Sequence, residues 1–508
     1  MIVMGLESEL ALLGVKPTAS VRDRVGQALL AAVGETQPHA PGWGSKHRST
    51  YFLANGGAFG LDPPRSVPEL STPECVDPFD LAAAHRAGLA LVAGAAARVE
   101  EFQGHRLTPA LASTFHQPRE VSLGTHENYG APTALDPALL IRNLVTWVVV
   151  RSILTEPGTV SSAPESRGFA LAPRAELMTR VSGPYTTHDR ALFTTCRLNY
   201  SGRGWRRLHV IAAGGTASSW AIVVRHGVAA LILELTLRGD RFPEVLLLRQ
   251  PLAALRSVSL DPEATIETLD GGTTTALGLN ERLLARLKAA QAAEPFAPWA
   301  ERVLAEWEHG LAVIARGDEA EAALLFESAL RRQVLGAFLE RAGVDWRTAR
   351  IWASCLDQIR NLSPDPLAPL PQTAAAVRRR LGEETARALE IELRPAGFSL
   401  RDYSRFAGIV DGLMSLDIEL SRTPDGLGAE LDQVQLDSRN GAAILPPERW
   451  RPLLRTPPAG TRAEVRGRLI ARHASAPDLR ASWAGVVAGG RVYDLPSPLS
   501  TIEPPPRG

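Results

Sequence analysis

The chain has 508 residues, and its 55 basic and 55 acidic side chains give a formal net charge of zero. A neutral chain has no overall field to hold it on nucleic acid or on an anionic membrane, so we expect it to bind neither. A hydrophobic fraction of 45% and a charged fraction of 22% are typical of a folded protein. The three cysteines lie far apart and form no CxxC pair, which argues against a disulfide framework or a thiolate zinc site.

The N-terminus has no basic segment followed by an apolar stretch, so it does not resemble a signal peptide. The longest apolar run, Val228 to Leu233, is too short to cross a bilayer. The sequence therefore predicts a cytoplasmic protein.

Strands alternate with long helices in the first 150 residues. Period-2 patterns and a central Asn-Gly-Gly turn predict strands at 2–10, 51–53 and 58–61. Apolar spacing and two Asp-Pro starts predict helices at 21–33, 77–99 and 136–150.

Short strands and turns are predicted over 165–240, and a strongly helical block over 280–345. A proline-rich break at 363–371 precedes a predicted helix at 373–393. The tail predicts a strand at 461–471, where charged and apolar residues alternate, and a hairpin at 482–495 around an Ala-Gly-Gly turn. These patterns predict a large domain at 1–425 and a small β-containing domain at 426–508.

The first candidate site is Glu7-Ser8-Glu9 on the first predicted strand. Residues two apart on a strand point to the same face, so the two carboxylates repel each other unless a cation neutralises them. Carboxylate oxygens suit Mg²⁺, which in turn suits phosphate chemistry. The alternative is an ordinary solvent-facing strand.

The second candidate site is the segment 55–74, which contains Asp62, Glu69 and Glu74. Its many proline and glycine residues would hold these carboxylates in fixed, non-helical positions. The alternative is an ordinary surface loop.

The third candidate site is 124–129, with the sequence GTHENY. His126 and Glu127 point to opposite faces of a strand, so one can bind an ion while the other supports the scaffold. Asn128 adds a polar group on the face of His126.

The fourth candidate site is 206–211, with the sequence RRLHVI. Alternation places Arg207 and His209 on one face and Arg206 on the other. Guanidinium groups bind phosphate through paired hydrogen bonds, and Arg190 and Arg197 provide further cations upstream. The alternative is a charged strand edge. The chain has no P-loop and no Rossmann glycine motif, so a nucleotide site here would be of another type.

The order of these motifs resembles the Pup ligase and depupylase family of glutamine-synthetase-like carboxylate–amine ligases. The resembling segments are 5–9, 55–62, 68–74, 124–129, 186–190, 206–211, 416–418 and the C-terminal stretch 457–483.

The resemblance implies an α+β fold, with a curved antiparallel sheet backed by helices and a small C-terminal domain. It implies ATP and Mg²⁺ as cofactors. The partners would be a small protein or peptide carboxylate, such as a Pup-like tag, and an amine, such as a protein lysine. The reaction would form an isopeptide bond through an acyl phosphate.

The resemblance also implies roles for single residues. Glu7, Glu9 and Glu69 would bind metal, and Asp62 would be the catalytic carboxylate. The residues expected to contact nucleotide are Arg207 and His209, with Arg206 and Arg190 as further cations. The residues expected in or beside the site, with roles left open, are Glu74, His126, Glu127 and Asn128.

Several positions depart from the family motifs. Val67 and Leu70 stand where the family has His and Tyr, and Gly57 and Gly60 where it has Ala and Tyr. We therefore expect a divergent member whose tag need not be Pup. Only 52 residues separate Glu9 from Asp62, which leaves no room for the insertion of depupylases and favours the ligase. The alternatives are an amidase with nucleotide as cofactor and a non-catalytic binding protein.

Overall fold

Burial alternates along the first strand, β1 (Val3–Glu9), as expected when a sheet has one covered face. Leu6 and Ser8 are buried on the covered face, whereas Glu7 and Glu9 lie on the other, which we call the open face. The computed structural model describes residues 1–13, 19–43, 49–62, 66–99, 107–111, 123–163, 165–185, 189–194, 204–362, 371–394, 399–423, 425–438 and 444–507.

The remaining strands are mostly short. They are β2 (Ala11–Leu13), β3 (His39–Pro41), β4 (Thr50–Leu53), β5 (Ala58–Asp62), β6 (Val67–Ser71), β7 (Thr108–Ala110), β8 (Thr125–Pro132), β9 (Thr159–Val160), β10 (Phe169–Ala170), β11 (Arg180–Gly183), β12 (Ala191–Thr194), β13 (Trp205–Ala213), β14 (Ile266–Glu267), β15 (Thr273–Thr274), β16 (Arg480–Ser482), β17 (Gly485–Ala488) and β18 (Arg491–Asp494).

The helices supply the layer behind the sheet and most of the second half of the chain. They are α1 (Ala19–Gly34), α2 (Pro78–Ala96), α3 (Pro137–Val150), α4 (Ser152–Thr155), α5 (Ser219–Leu237), α6 (Pro251–Leu260), α7 (Ala276–Ala293), α8 (Ala300–Arg316), α9 (Glu319–Leu325), α10 (Glu327–Ala342), α11 (Trp346–Asn361), α12 (Ala374–Leu381), α13 (Glu383–Leu393), α14 (Tyr403–Glu419), α15 (Leu427–Ser438), α16 (Pro447–Trp450) and α17 (Arg462–Arg472).

One nine-stranded sheet organises the fold, in the order β11-β12-β13-β8-β1-β6-β5-β4-β3. Its neighbouring strands run antiparallel, except that β11 and β12 are parallel. Three strands that carry candidate residues, β8, β1 and β6, are therefore adjacent. The large antiparallel sheet backed by helices confirms the predicted fold class.

Helices α2, α3 and α5 pack on the covered face and form the main core with the apolar residues of β1, β8 and β13. Among the described helices, α5 has the length and composition to cross a membrane, but 89% of its apolar stretch is buried within the protein. Side-chain burial of this extent is what a central core helix requires.

The tail was predicted wrongly at one element, because 461–471 forms helix α17 instead of a strand. The strand prediction treated Arg462 and Arg466 as solvent-facing, yet both are buried at 2% and 0% exposure. Thr461 caps the helix by accepting a hydrogen bond from the Ala463 N–H, and Glu464 follows three residues after it. This Thr-x-x-Glu capping pattern is the signal that the alternation obscured.

The predicted hairpin is confirmed: β17 and β18 pair antiparallel, and Gly489 and Gly490 have φ of 60° and 70° between them. Two consecutive positive φ values suit glycine and the tight turn of a two-residue hairpin. Helix α17 and strands β16–β18, here called the C-terminal unit, pack on β3, β4 and β5 through a shared apolar cluster.

The predicted helix at 373–393 is two helices, α12 and α13. They are separated by Gly382, whose φ of +82° is incompatible with a continuous right-handed helix. Of the preceding proline-rich break, 363–370 lies outside the described residues. The division at residue 426 stays a prediction.

Candidate active site

Carboxylates from three neighbouring strands meet on the open face of the sheet. Glu9 of β1 lies directly opposite Glu69 of β6, and Glu69 lies opposite Gly60 of β5. Asp62 is two residues beyond Gly60 and so points to the same side, and Glu7 is two residues from Glu9. The β-sheet register thus brings together the four acids that the sequence assigned to metal and catalysis.

This crowding changes the proton affinity of the acids. Burial, followed by the negative charges of Glu7, Asp62 and Glu9, raises the pKa of Glu69 well above its ordinary value. Partial burial and the charge of Glu9 raise the pKa of Asp62 to about 6. Burial is the larger cause of both shifts, and the negative charges of the neighbouring carboxylates add to it.

Glu7 is the compensated member of the group. Arg207 donates from Nη2 to both carboxylate oxygens at 2.8 Å, and its Nε donates to Asn128 Oδ1. His209 Nε2 lies 3.5 Å and His126 Nδ1 3.8 Å from Glu7 Oε2. Burial alone would raise the pKa of Glu7, but Arg207 and the two histidines hold it well below its ordinary value.

The residues present fit a divalent cation. Among the described residues, ligand atoms of Glu7, His126 and His209 lie within 4.8 Å of one another, and Glu9 and Glu69 stand beside them. Burial and the charge of Arg207 lower the pKa of His209 to about 3, so its imidazole is neutral and able to bind a metal. His209 therefore belongs to the group of side chains that could bind a metal. The family resemblance implied a contact with nucleotide phosphate for it instead.

A cavity open to solvent, with about 580 Å³ of empty space, adjoins these residues. Glu7, Asn128 and Arg207 border it from the sheet, and Arg462 and Trp483 border it from the C-terminal unit. Arg206 also borders it, although it projects from the opposite side of β13 to Arg207. The arrangement offers cations and an aromatic ring next to the acidic cluster.

Glu127 belongs to the scaffold, as its predicted orientation away from His126 allows. Its carboxylate is fully buried, accepts two hydrogen bonds from the buried Arg151 guanidinium and accepts a third from Tyr129 Oη at 2.7 Å. Burial opposes its ionisation, but Arg151 outweighs burial and lowers the pKa of Glu127 to about 2. His126, by contrast, lies on the open face, with Nε2 3.8 Å from Glu9 Oε2.

Glu74 joins the main sheet to the C-terminal unit. It accepts hydrogen bonds from Arg462 Nε at 2.7 Å and Arg466 Nη2 at 2.6 Å. Arg466 also donates to the Gly56 carbonyl at 2.6 Å and lies over the Trp483 ring. Despite burial, which raises it, the pKa of Glu74 falls to about 2 because of these two arginines. Glu74 therefore holds the cavity wall in place.

The four motif departures fall on different surfaces. Leu70 lies in the apolar core, packed so close to Gly88 that any larger residue there would contact it. Leu70 therefore does not face a substrate, contrary to the prediction. Val67 lies opposite Asp62 on the open face, and Gly60 is pressed against Thr50, 2.7 Å from where a Cβ would lie. Gly57 is buried, and its Cβ would lie 2.9 Å from the Ser71 carbonyl oxygen. Only Val67 and Gly60 thus alter the surroundings of Asp62.

The cations upstream of β13 are described in part. Arg190 has a left-handed φ of 42° at the start of β12, and its charge acts on Arg174. Thr186, Thr187, His188 and Arg197 lie outside the described residues. Sequence reasoning missed Arg174. It placed Arg462 and Arg466 in the C-terminal family pattern but took them for solvent-facing residues, because no local pattern distinguishes a buried arginine from an exposed one.

Comparison with known proteins identifies the family. A family model described as Pup-ligase protein matches residues 11–361. A Pup–protein ligase of Brachybacterium faecium is 30% identical over 360 residues, which cover 68% of this chain and 73% of that protein. The chain belongs to the Pup-ligase family. Its predicted family and its predicted class of enzyme, a ligase, are confirmed.

A second kind of relative also matches. A Pup deamidase/depupylase of Mycolicibacterium smegmatis is 28% identical over 306 residues, covering 59% of this chain and 60% of that protein. Among solved structures, the ligase PafA in complex with Pup has a TM-score of 0.71 at 19% identity, covering 99% of this chain and 89% of that one. PafA in complex with ADP has a TM-score of 0.65 at 19% identity, covering 96% and 92%. These two likenesses confirm the fold.

Substitutions of Glu127 and His126, which are neighbours on β8, should affect the free energy of unfolding to very different extents. Glu127→Gln leaves the buried Arg151 without its charge partner and should lower the free energy of unfolding by about 3–5 kcal/mol. His126→Gln should change it by less than about 1 kcal/mol, because this side chain lies on the open face. Urea unfolding followed by circular dichroism measures both, and equal stabilities of the two variants would contradict the scaffold role of Glu127.

Glu74→Gln should destabilise the protein by about 3 kcal/mol at pH 6, because it leaves two buried arginines short of a counter-ion. Glu503→Gln, which removes the solvent-exposed pair with Arg472, is the control and should leave the stability nearly unchanged.

The contact of Glu74 with its two arginines also predicts that the stability of the protein depends on pH. The native pKa of Glu74 is about 2, below the ordinary value of 4.5, so its stabilising effect is full above pH 4.5 and is lost as the pH falls towards 2. The stability difference between wild type and Glu74→Gln should therefore shrink between pH 6 and pH 3. A difference that stays constant over this range in urea unfolding would show that the ion pair does not stabilise the fold.

Proposed function

We propose that the protein is an ATP- and Mg²⁺-dependent carboxylate–amine ligase that forms an isopeptide bond through an acyl phosphate. Its carboxylate substrate would be the C-terminus of a Pup-like tag, and its amine a lysine of a target protein. The observation that carries this proposal is the meeting of Glu7, Glu9, Glu69 and Asp62 on one face of the sheet, next to Arg207 and the cavity. Cytoplasmic location is part of the same proposal.

Glu7, Glu9 and Glu69 would hold Mg²⁺, with His126 and His209 beside them. Bound Mg²⁺ would neutralise the charge that develops on the phosphates during transfer. Arg207 can then exchange its contact with Glu7 for one with a phosphate oxygen, and Arg206 and Arg190 would add to the positive field. Asn128 would orient Arg207, to which it is hydrogen-bonded.

Asp62 is suited to accept a proton from the attacking amine. Its raised pKa of about 6 makes it a stronger base than an ordinary aspartate while leaving it ionised at neutral pH. The attacking nitrogen forms a bond to the activated carbonyl carbon, phosphate leaves, and the amine proton passes to Asp62. Val67 lies opposite Asp62 on the open face, where the substrate amine would approach.

A second candidate function is hydrolysis of the tag's amide bond with nucleotide as cofactor. The match to deamidase/depupylase enzymes favours this candidate, and Asp62 would then be the nucleophile. The 52-residue separation of Glu9 and Asp62 favours the ligase, because the family resemblance places a long insertion there in depupylases.

The deciding experiment combines the protein with Mg-ATP, a Pup-like tag ending in glutamate, and a lysine-containing protein. A ligase should release phosphate in proportion to an isopeptide conjugate seen by mass spectrometry, and omission of the amine should stop conjugate formation. Cleavage of a preformed conjugate without net ATP turnover would support the amidase instead. The absence of both reactions with Mg-ATP binding retained would support the alternative of a non-catalytic nucleotide-binding homologue.

Asp62→Asn should lower the rate of conjugate formation by about 100-fold or more, because it removes the proton acceptor. The Mg-ATP affinity measured by calorimetric titration should change by less than about threefold, since the Asp62 side chain lies at the rim of the acidic cluster. Asp411→Asn, at an exposed position of helix α14, is a matched control outside the acidic cluster. Retention of the full rate by Asp62→Asn would contradict the assigned role.

A further inference from the structure

Ser8 stands between two of the acids assigned to metal and faces the other side of the sheet. Its side chain is fully buried on the covered face, whereas those of Glu7 and Glu9 lie on the open face. The Ser8 hydroxyl lies 2.9 Å from Nε2 of His85, a residue of α2 that is itself 1% exposed. A buried hydrogen bond thus joins the strand that carries two acids to the helix behind it.

This hydrogen bond lies where two apolar clusters of the protein meet. On β1, Leu6 belongs to the main core and Leu10 belongs to a second cluster. On α2, the clustered apolar residues before His85 belong to the main core, and those from Leu89 onwards belong to the second cluster. Ser8 and His85 therefore occupy the junction of the two clusters on both elements.

The two clusters support different parts of the acidic group. The main core lies behind β1, β8 and β13, which carry Glu7 and His209 among others. The second cluster lies behind β5 and β6, which carry Asp62 and Glu69. Apolar packing is not directional, whereas a hydrogen bond fixes both a distance and an angle. The serine–histidine bond is therefore a directional contact at the place where the two halves of the site join.

Ser8 restrains β1 in the direction that the hydrogen bonds of the sheet leave least restrained. It pairs with Leu70 of β6 on one side and with Thr125 of β8 on the other. These two ladders hold β1 within the plane of the sheet. Movement out of the plane, or rotation of the strand about its own axis, is opposed by contacts on the covered face. Because Glu7 and Glu9 flank Ser8, such a movement would displace both carboxylates.

The surroundings keep the imidazole of His85 neutral. Burial, followed by the charge of His226, lowers the pKa of His85 to about 3. Within the described part of the chain, Nε2 has the Ser8 hydroxyl as its partner, and Nδ1 is buried without a hydrogen bond. Two apolar side chains would avoid the cost of burying these polar groups. A polar pair at this junction therefore indicates a need for defined geometry.

We propose that His85 is a positioning residue for the metal site, which acts through Ser8 to hold Glu7 and Glu9 in place against Glu69. The inference rests on the proposed function and adds a residue to it. His85 lies on the covered face and touches neither metal nor substrate. Residues behind metal ligands fix the ligand geometry, and their loss weakens metal binding even when every ligand is retained.

The test measures the affinity for Mn²⁺, which suits the same carboxylate ligands as Mg²⁺, from the electron paramagnetic resonance signal of the free ion. Glu9→Gln should weaken binding strongly and so identifies the site. Ser8→Ala and His85→Leu should each weaken it by about fivefold or more. The double variant should bind about as weakly as either single variant, because both changes remove the same hydrogen bond. His85→Gln, which keeps the ring's neutral charge and offers an amide donor near the place of Nε2, should stay within about twofold of wild type.

Thr236→Ala is the matched control. It removes a buried hydrogen bond between two other elements of the same layer, from Asn143 Nδ2 of α3 to Thr236 Oγ1 of α5 at 3.0 Å. This variant should have a lower Tm and an unchanged Mn²⁺ affinity.

A merely structural role of His85 would give the result of the control, a lower Tm with unchanged Mn²⁺ affinity, and would overturn the proposal. An affinity of His85→Gln as low as that of His85→Leu would also overturn it, because the hydrogen bond would then not be the cause. Wild-type protein that binds no Mn²⁺ would contradict the metal site of the proposed function, and the positioning role with it. The failure of the positioning role and the failure of the proposed function are therefore distinguishable.

Discussion

Glu9 and Glu69 stand directly opposite each other on adjacent strands, and the rest of the site depends on this pairing. Like charges in facing positions destabilise a sheet, and here burial adds to the cost. The antiparallel register of β1 with β6 makes the contact unavoidable, because moving either strand by one residue would turn its core residues out of the core. The apolar packing of α1, α2 and α5 behind these two strands holds them in this unfavourable arrangement.

Other buried acids in the described part of the chain show how different Glu69 is. Each has a cation or several donors in contact. They are Glu74 with Arg462 and Arg466, Glu127 with Arg151, Glu327 and Asp417 with Arg331, and Asp432 with Arg86 and Ser219. The fold thus supplies counter-ions where an acid is structural. Among the described residues no ion pair is formed by Glu69, and burial together with three neighbouring carboxylates raises its pKa. A divalent cation would relieve this repulsion.

Much of the site could be predicted from the sequence because strands have a strict two-residue period. That period correctly paired Glu7 with Glu9, joined Arg207 to His209 and separated His126 from Glu127. It could not show which distant groups would meet these residues. Glu74 and Arg466 are 392 positions apart in the chain, and Arg174 reaches Glu9 only because Gly124 leaves room. The prediction of a strand at 461–471 was wrong for a related reason. The arginines of α17 are buried against Glu74, which lies far from them in the sequence.

The central claim is that a divalent cation relieves the repulsion within the acidic cluster, and the thermal stability of Glu69→Gln tests it most directly. Without metal, this variant should have a higher Tm than wild type, because it removes a buried, uncompensated carboxylate. Addition of Mg²⁺ with ADP should raise the Tm of wild type and raise that of Glu69→Gln much less. A variant that is less stable than wild type without metal, and that gains as much from Mg²⁺ and ADP, would contradict the account.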